Sequence, residues 1–152
     1  SKVMNLNEAE KIIKFWKSKN ENIGFTNGCF DYLHPGHLSF IAQAAALGDE
    51  LYVVVARDAN VQRIKGHLPD HREDDRRAAI ARLPEVDDVR LGYPGQNFLR
   101  VVGDVAPHII ALGYDQGRPP GLTAAFPDCE IVVLLPHHPK KFKSSLYRAQ
   151  SD

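Results

Sequence analysis

Gly28-Cys29-Phe30-Asp31-Tyr32-Leu33-His34-Pro35-Gly36-His37 is the stretch whose reading decides the fold. It follows a short apolar run, Ile23-Gly24-Phe25-Thr26, that reads as a buried strand. It precedes an amphipathic run, Leu38 to Leu47, that reads as a helix. A strand, a tight loop and a helix start make an anion site, because free N–H groups and the positive end of the helix dipole meet there. Two imidazoles three residues apart, His34 and His37, reach the same place. That combination suits a nucleoside triphosphate and chemistry at its phosphorus. A helix-start turn with solvent-exposed histidines is the plainer alternative.

Outward from this loop the chain alternates. Glu50 to Val55 is a continuous run suited to a strand covered on both faces. Asp58 is expected to cap a short helix ending near Lys65-Gly66. His67 to Arg72 reads as a polar loop, and Glu73 to Leu83 as an Arg-rich helix with Ala78, Ala79, Ile80 and Leu83 inside. Strands are predicted at Asp87–Leu91, His108–Leu112 and Glu130–Leu135, with helices at Asn97–Gly103 and Leu122–Phe126. Residues 1–22 read as an N-terminal helical extension carrying Trp16, and 136–152 as a basic tail with a final helix. The alternation predicts one α/β domain over 1–152 with a doubly wound parallel sheet and ligand at the carboxyl ends of its strands.

The 152 residues carry 19 Lys+Arg against 19 Asp+Glu, so no net basic field draws the chain to nucleic acid or anionic membrane. No apolar stretch approaches a bilayer span and no signal-peptide pattern opens the chain. Cys29 and Cys129 form no CxxC pair; a reduced, cytoplasmic protein is expected, with a Cys29–Cys129 bridge as the alternative.

His34-Pro35-Gly36-His37 together with Gly28-Cys29-Phe30-Asp31 resembles the HxGH motif and G-x-F-D of the cytidylyltransferase-like nucleotidyltransferases, over about Ile23 to Arg148. The resemblance implies a Rossmann-like fold with five strands in the order 3-2-1-4-5. It also implies transfer of a nucleoside monophosphate from ATP or CTP to a phosphate-bearing acceptor, with Mg²⁺ and loss of pyrophosphate. By the same resemblance His34, His37 and Lys65 act on phosphates. Thr26, Asn27, Gly28, Cys29, Phe30, Asp31 and Gly36 belong to the nucleotide site, and so do Arg76, Gly113, Asp115, Ser144 and Ser145. Gly36 is expected to let backbone approach a phosphate, and Gly28 to admit base or ribose. Asp31 either orients an imidazole, supports a metal or turns its own loop; no dedicated metal cage is seen. Lys65 also reads simply as a surface lysine at a helix end.

Aligning Val86-Asp87-Asp88-Val89 with the family's V-D-x-V puts Arg76 at a substrate-facing position and leaves Arg77 in solvent. Three departures stand out: His67 where the family often has arginine, Lys141 and Lys143 where it has a tail arginine, and Ala111-Leu112 where one branch has lysine. His137 and His138 read as surface residues. Ile109 to Gln116 looks like archaeal-type FAD synthetase, which adenylylates FMN; Phe25 to Asp31 looks like the nucleotidyltransferase domain of ADP-heptose synthesis; the size also suits glycerol-3-phosphate cytidylyltransferase. FMN is the favoured acceptor, with Tyr93 and Phe98 as its aromatic wall. A homodimer is implied. A nucleotide-binding module without turnover is the non-enzymatic alternative.

Overall fold

The structure, a computed structural model, describes residues 22–136. The N-terminal extension with Trp16, and His137, His138, Lys141, Lys143, Ser144 and Ser145, lie outside the described residues. The elements run β1 (Ile23–Gly28), α1 (Pro35–Ala45), β2 (Glu50–Val55), α2 (Asp58–Lys65), α3 (Glu73–Ala81), β3 (Asp88–Leu91), α4 (Phe98–Val105), β4 (Ile109–Gly113), α5 (Leu122–Ala125) and β5 (Glu130–Leu134). All pairings are parallel and the strand order is 3-2-1-4-5, as expected.

Side-chain alternation on the strands builds two cores. Leu51, Val53 and Val55 of β2 join Ile41 and Ala44 of α1 and Ile80 of α3 on one face. Val54 of β2 joins Phe25, Ile110 and Leu112 with Val101 and Val102 of α4 on the other. This two-residue period on strands and the split of helices between faces is the doubly wound arrangement.

The seam between β1 and β4 positions the site. β1 pairs with β2 over six residues, but with β4 over only Gly24–Ile109 and Phe25–Ile110. Beyond Phe25 side chains replace the ladder: Thr26 Oγ1 donates to Ala111 O at 2.9 Å. Gln116 then accepts from Gly113 N through Oε1 at 2.6 Å and donates from Nε2 to Asn27 O at 3.4 Å. The crevice opens where the strand order reverses, which is where α/β sheets take ligands.

Two local readings differ from expectation. α1 begins at Pro35 rather than Leu38, because proline suits the first helical position and His34 supplies the cap. Asp58 does not cap α2; Arg57 holds that position without a side-chain bond, and the Asp58 N–H donates to Glu73 Oε1 of α3 at 2.8 Å. Both cysteines are free.

Candidate functional site

The site starts from the cap of α1. The His34 ring accepts from Gly36 N through Nδ1 at 3.1 Å. His34 O accepts from the N–H groups of His37 and Leu38 at 3.0 and 3.1 Å. With Pro35 lacking an N–H, the first turn holds no free backbone donor, contrary to the sequence expectation. The dipole remains, but the donors offered to an anion are the imidazoles.

These rings are fixed by one peptide carbonyl. Tyr32 O accepts from His34 N at 3.0 Å and from His37 Nδ1. The two rings stack, centroids 3.8 Å apart and 23° from parallel. The hydrogen bonds assign the tautomers. His34 Nδ1 is an acceptor, so its proton sits on Nε2. His37 Nδ1 carries a proton, so its Nε2 is open to gain one. Burial holds His37 below the ordinary histidine value; Tyr32 O opposes this, the charges of His34 and Lys65 reinforce it, and Asp115 opposes it.

Phe30 anchors the loop. It adopts φ 53°, a left-handed conformation rare for a bulky residue, and is buried. A Cβ on Gly28 would stand 2.8 Å from its ring, so the absence of a side chain at Gly28 makes room for Phe30. Similarly a Cβ on Gly36 would stand 2.9 Å from His34 Cε1; the space that was expected to bring a phosphate close holds the imidazole.

A cavity of about 890 Å³ opens over these residues. Asn27, Gly28, Cys29 and Phe30 line it from β1 and the loop, and His34, Gly36 and His37 from α1. Lys65 faces it from the last turn of α2, just before Gly66 takes φ 84° and stops the helix. Gly113 and Asp115 line it from the end of β4. The volume lies within the range of cofactor sites. Ile64 and Tyr114, 74% and 60% exposed, flank it, with Phe40 behind.

Other predicted residues fall elsewhere. Thr26 is fully buried, its hydroxyl spent on Ala111. Arg76 is only 1% exposed and does not face the cavity. Its guanidinium donates to His71 O at 2.9 Å, Cys29 O at 2.8 Å and Asp58 Oδ1 at 2.7 Å, fastening three segments beneath the loop. Arg77, expected in solvent, is half-buried.

Asp31 orients an imidazole, but that of His71 at 3.0 Å rather than of the motif. It also accepts from Asp70 N and His71 N, both at 2.8 Å, so the carboxylate is committed to the 66–72 loop. Burial would raise its pKa, but these hydrogen bonds and the His71 charge bring it below the ordinary carboxylate value. Tyr32 OH bonds Asp70 of the same loop. Among the described residues no group of three or more His, Cys, Asp or Glu is placed to hold a metal ion.

The expected aromatic wall is not in the cavity. Phe98 packs edge-on against Phe25 at 5.8 Å, and Tyr93 lies under the guanidinium groups of Arg90 and Arg100 with its hydroxyl on Asp104. Sequence reading missed Gln116, Phe40, Ile64 and Tyr114. Exposed apolar residues beside a predicted phosphate loop were the available signal for the last two; Gln116 was marked only as the end of the stretch that resembles the FAD synthetases, with no sign of its role.

The family model described as Cytidylyltransferase-like matches residues 25–149. The chain belongs to that family. A FAD synthase of Aciduliprofundum boonei is 52% identical over 89 residues, 59% of this chain and 58% of that protein. A FAD synthase of Haloferax volcanii is 40% identical over 114 residues, 72% of this chain and 78% of that protein. The bifunctional protein HldE of Paramagnetospirillum magneticum is 38% identical over 116 residues, 76% of this chain and 24% of that protein. This chain therefore spans about a quarter of that HldE and under three-fifths of the A. boonei protein. A lipopolysaccharide core biosynthesis protein from Thermoplasma volcanium superposes with TM-score 0.72 at 35% identity, over 78% of this chain and all of the other. No helix among the described residues is long and apolar enough to cross a membrane.

Proposed function

We propose that this chain is a nucleotidyltransferase that joins the AMP of ATP to the phosphate of FMN, giving FAD and pyrophosphate. The observation that carries the reading is the stacked His34–His37 pair at the start of α1, facing the same cavity as Lys65. Such a reaction needs placement and charge stabilisation more than covalent help. An oxygen of the FMN phosphate attacks the α-phosphorus; that P–O bond forms as the bond to the β-phosphate oxygen breaks, and pyrophosphate leaves. His34 donates from Nε2 to a phosphate oxygen. His37, neutral in the free protein, gains a proton beside the phosphates. Lys65 holds the acceptor's phosphate.

Mg²⁺ comes with the triphosphate, as part of the substrate. Asp31 does not fit as its ligand, since both oxygens already serve the 66–72 loop. The ion would rest on phosphate oxygens and water. Ile64 and Tyr114, exposed apolar groups lining the cavity, would pack against the flavin ring. Ser144 and Ser145 would serve the outer phosphates, two copies of the chain would pair near the motif loop, and the setting would be the cytoplasm.

A second reading is adenylylation of a sugar phosphate; the match to the P. magneticum HldE covers more of this chain than the match to the A. boonei FAD synthase. Pyrophosphate release decides, with ATP and CTP crossed against FMN, heptose 1-phosphate and glycerol 3-phosphate. FAD from ATP and FMN is expected. Release only with a sugar phosphate moves the assignment to the second reading, and CDP-glycerol from CTP moves it to a cytidylyltransferase. Affinity for triphosphate without any release would leave a binding module. Light scattering at micromolar concentration checks the dimer.

A further inference from the structure

Tyr32 joins, through its main chain and its side chain, the imidazole pair and the loop that follows Lys65. Its carbonyl accepts from His34 N at 3.0 Å and from His37 Nδ1. Its phenol donates to Asp70 of the 66–72 loop, which begins at the Gly66 stop directly after Lys65. The side chain is 54% exposed, so burial does not hold it. An exposed ring ordinarily changes rotamer freely. This one is pinned at its tip by Asp70 and along its face by His71, whose ring stands edge-on with centroids 4.7 Å apart. The bond to Asp70 holds the phenol above its ordinary pKa, so it keeps the proton it donates. Asp70 is itself anchored: Asp31 accepts from Asp70 N and His71 N at 2.8 Å each, and Arg76 donates to His71 O at 2.9 Å. Tyr32 does not line the large cavity. It lines a separate one of about 350 Å³ with His71, Asp75 and Ala79, so its phenol is not placed to touch substrate.

We propose that Tyr32 is a positioning residue: its phenol, tied to Asp70, braces the carbonyl that aims His34 and His37 at the reacting phosphates. A peptide group is planar and turns as a unit about the soft bonds on either side. Anchoring the side chain of Tyr32 limits that rotation, and with it the placement of both imidazoles. Small misplacements of groups that act on a transition state cost rate steeply. The catalytic part of this rests on the reading of His34 and His37 as the pair that meets phosphate. The mechanical part, from phenol to imidazoles, does not.

The test uses the full chain and three substitutions. Tyr32→Phe removes the hydroxyl and keeps the ring against His71. Asp70→Ala removes its acceptor, and Asp70→Asn restores a neutral oxygen that can still accept. Imidazole nitrogen resonances of His34 and His37 are recorded without ligand. Pyrophosphate release is then measured with ATP and the acceptor that wild type uses. In Tyr32→Phe and Asp70→Ala both imidazole signals should move, and kcat should fall about tenfold with KM for ATP nearly unchanged. The double variant should be no worse than either single one, and Asp70→Asn should recover most of the loss. Imidazole signals that stay in place in both variants overturn the proposal, as do additive losses in the double variant. A drop in melting temperature large enough to explain the lost turnover also overturns it, because Tyr32 is then structural. Should wild type release no pyrophosphate with any acceptor, the nucleotidyltransferase reading falls and the resonances alone decide: movement in Tyr32→Phe upholds the brace, and none overturns it.

Discussion

The guanidinium of Arg76 lies 2.7 Å from the Asp58 carboxylate, joining the middle of α3 to the start of α2 under the loop that follows β1. Arg76 is buried and also carries Cys29 O and His71 O. Removing it strands two carbonyls and a carboxylate. Arg76→Ala should cost about 2–4 kcal/mol of stability, and Arg76→Lys nearly as much, because a single ammonium cannot serve three acceptors in fork geometry. Urea unfolding measures this. A variant with wild-type stability but lost triphosphate affinity would restore the substrate-facing role that the sequence suggested.

His34 has two jobs that can be separated. Its ring caps α1 and offers Nε2–H to the cavity. Asparagine is a good cap but a poor substitute for the imidazole. His34→Asn should keep the melting temperature while turnover falls on the order of a hundredfold. His34→Ala should lose both, with about 1 kcal/mol of stability gone. Equal turnover in His34→Asn and wild type would remove His34 from the chemistry.

Triphosphate binding should take up protons through His37. Burial lowers its pKa in the free protein, so it is neutral near pH ~7; an adjacent phosphate favours the imidazolium and raises the value again. Calorimetry in buffers of different ionisation heat should give different apparent enthalpies, and His37→Asn should abolish the difference. Identical enthalpies for wild type would contradict it. For the free protein the unfolded chain holds this proton more readily, so stability rises with pH from the lowered native value to about 6.5.

The 66–72 loop should loosen when Asp31 loses its charge. The bonds to Asp70 N and His71 N keep its pKa below the ordinary value, so their contribution is present above about pH 3.9 and is lost as pH falls through the native value. Asp31→Ala should show the same effect at neutral pH, read as faster amide exchange at Asp70 and His71. Unchanged exchange would mean that the loop is held by Tyr32 and Arg76 instead.

Gly48 is fixed by space alone. A Cβ there would stand 2.8 Å from Asn22 O, the carbonyl that accepts from Asp49 N and Glu50 N at the start of β2. Gly48→Ala should destabilise by about 1–3 kcal/mol without touching affinity per folded molecule. A neutral substitution would show that the Asn22 turn relaxes freely.

Strand β2 was legible to the residue, and helix α2 at its end though not at its cap, because β-branched runs and a Lys-Gly stop report burial and termination directly. The start of α1 was not, since a histidine cap followed by proline reads as loop. The strand order came from the resemblance; periodicity alone carries no such information. Arg76 was misread because an Arg-rich helix shows nothing in sequence to separate the arginine that turns inward from those that turn out. Gln116 was invisible for a related reason: its role exists only because β1 and β4 stop pairing, and a parting of strands distant in sequence leaves no local trace.

That parting leaves the sheet as two leaves at its ligand end. Two strands stand on one side of β1 and two beyond it, and past Phe25 the join to β4 depends on the side chains of Thr26 and Gln116. The cavity straddles the join, with His34 and Lys65 on one leaf and Asp115 on the other. Whatever fills it touches both halves of the sheet at once. Gln116 ties the end of β4 to the end of β1 there, so a substitution at this one position removes a direct bond between the two halves of the sheet.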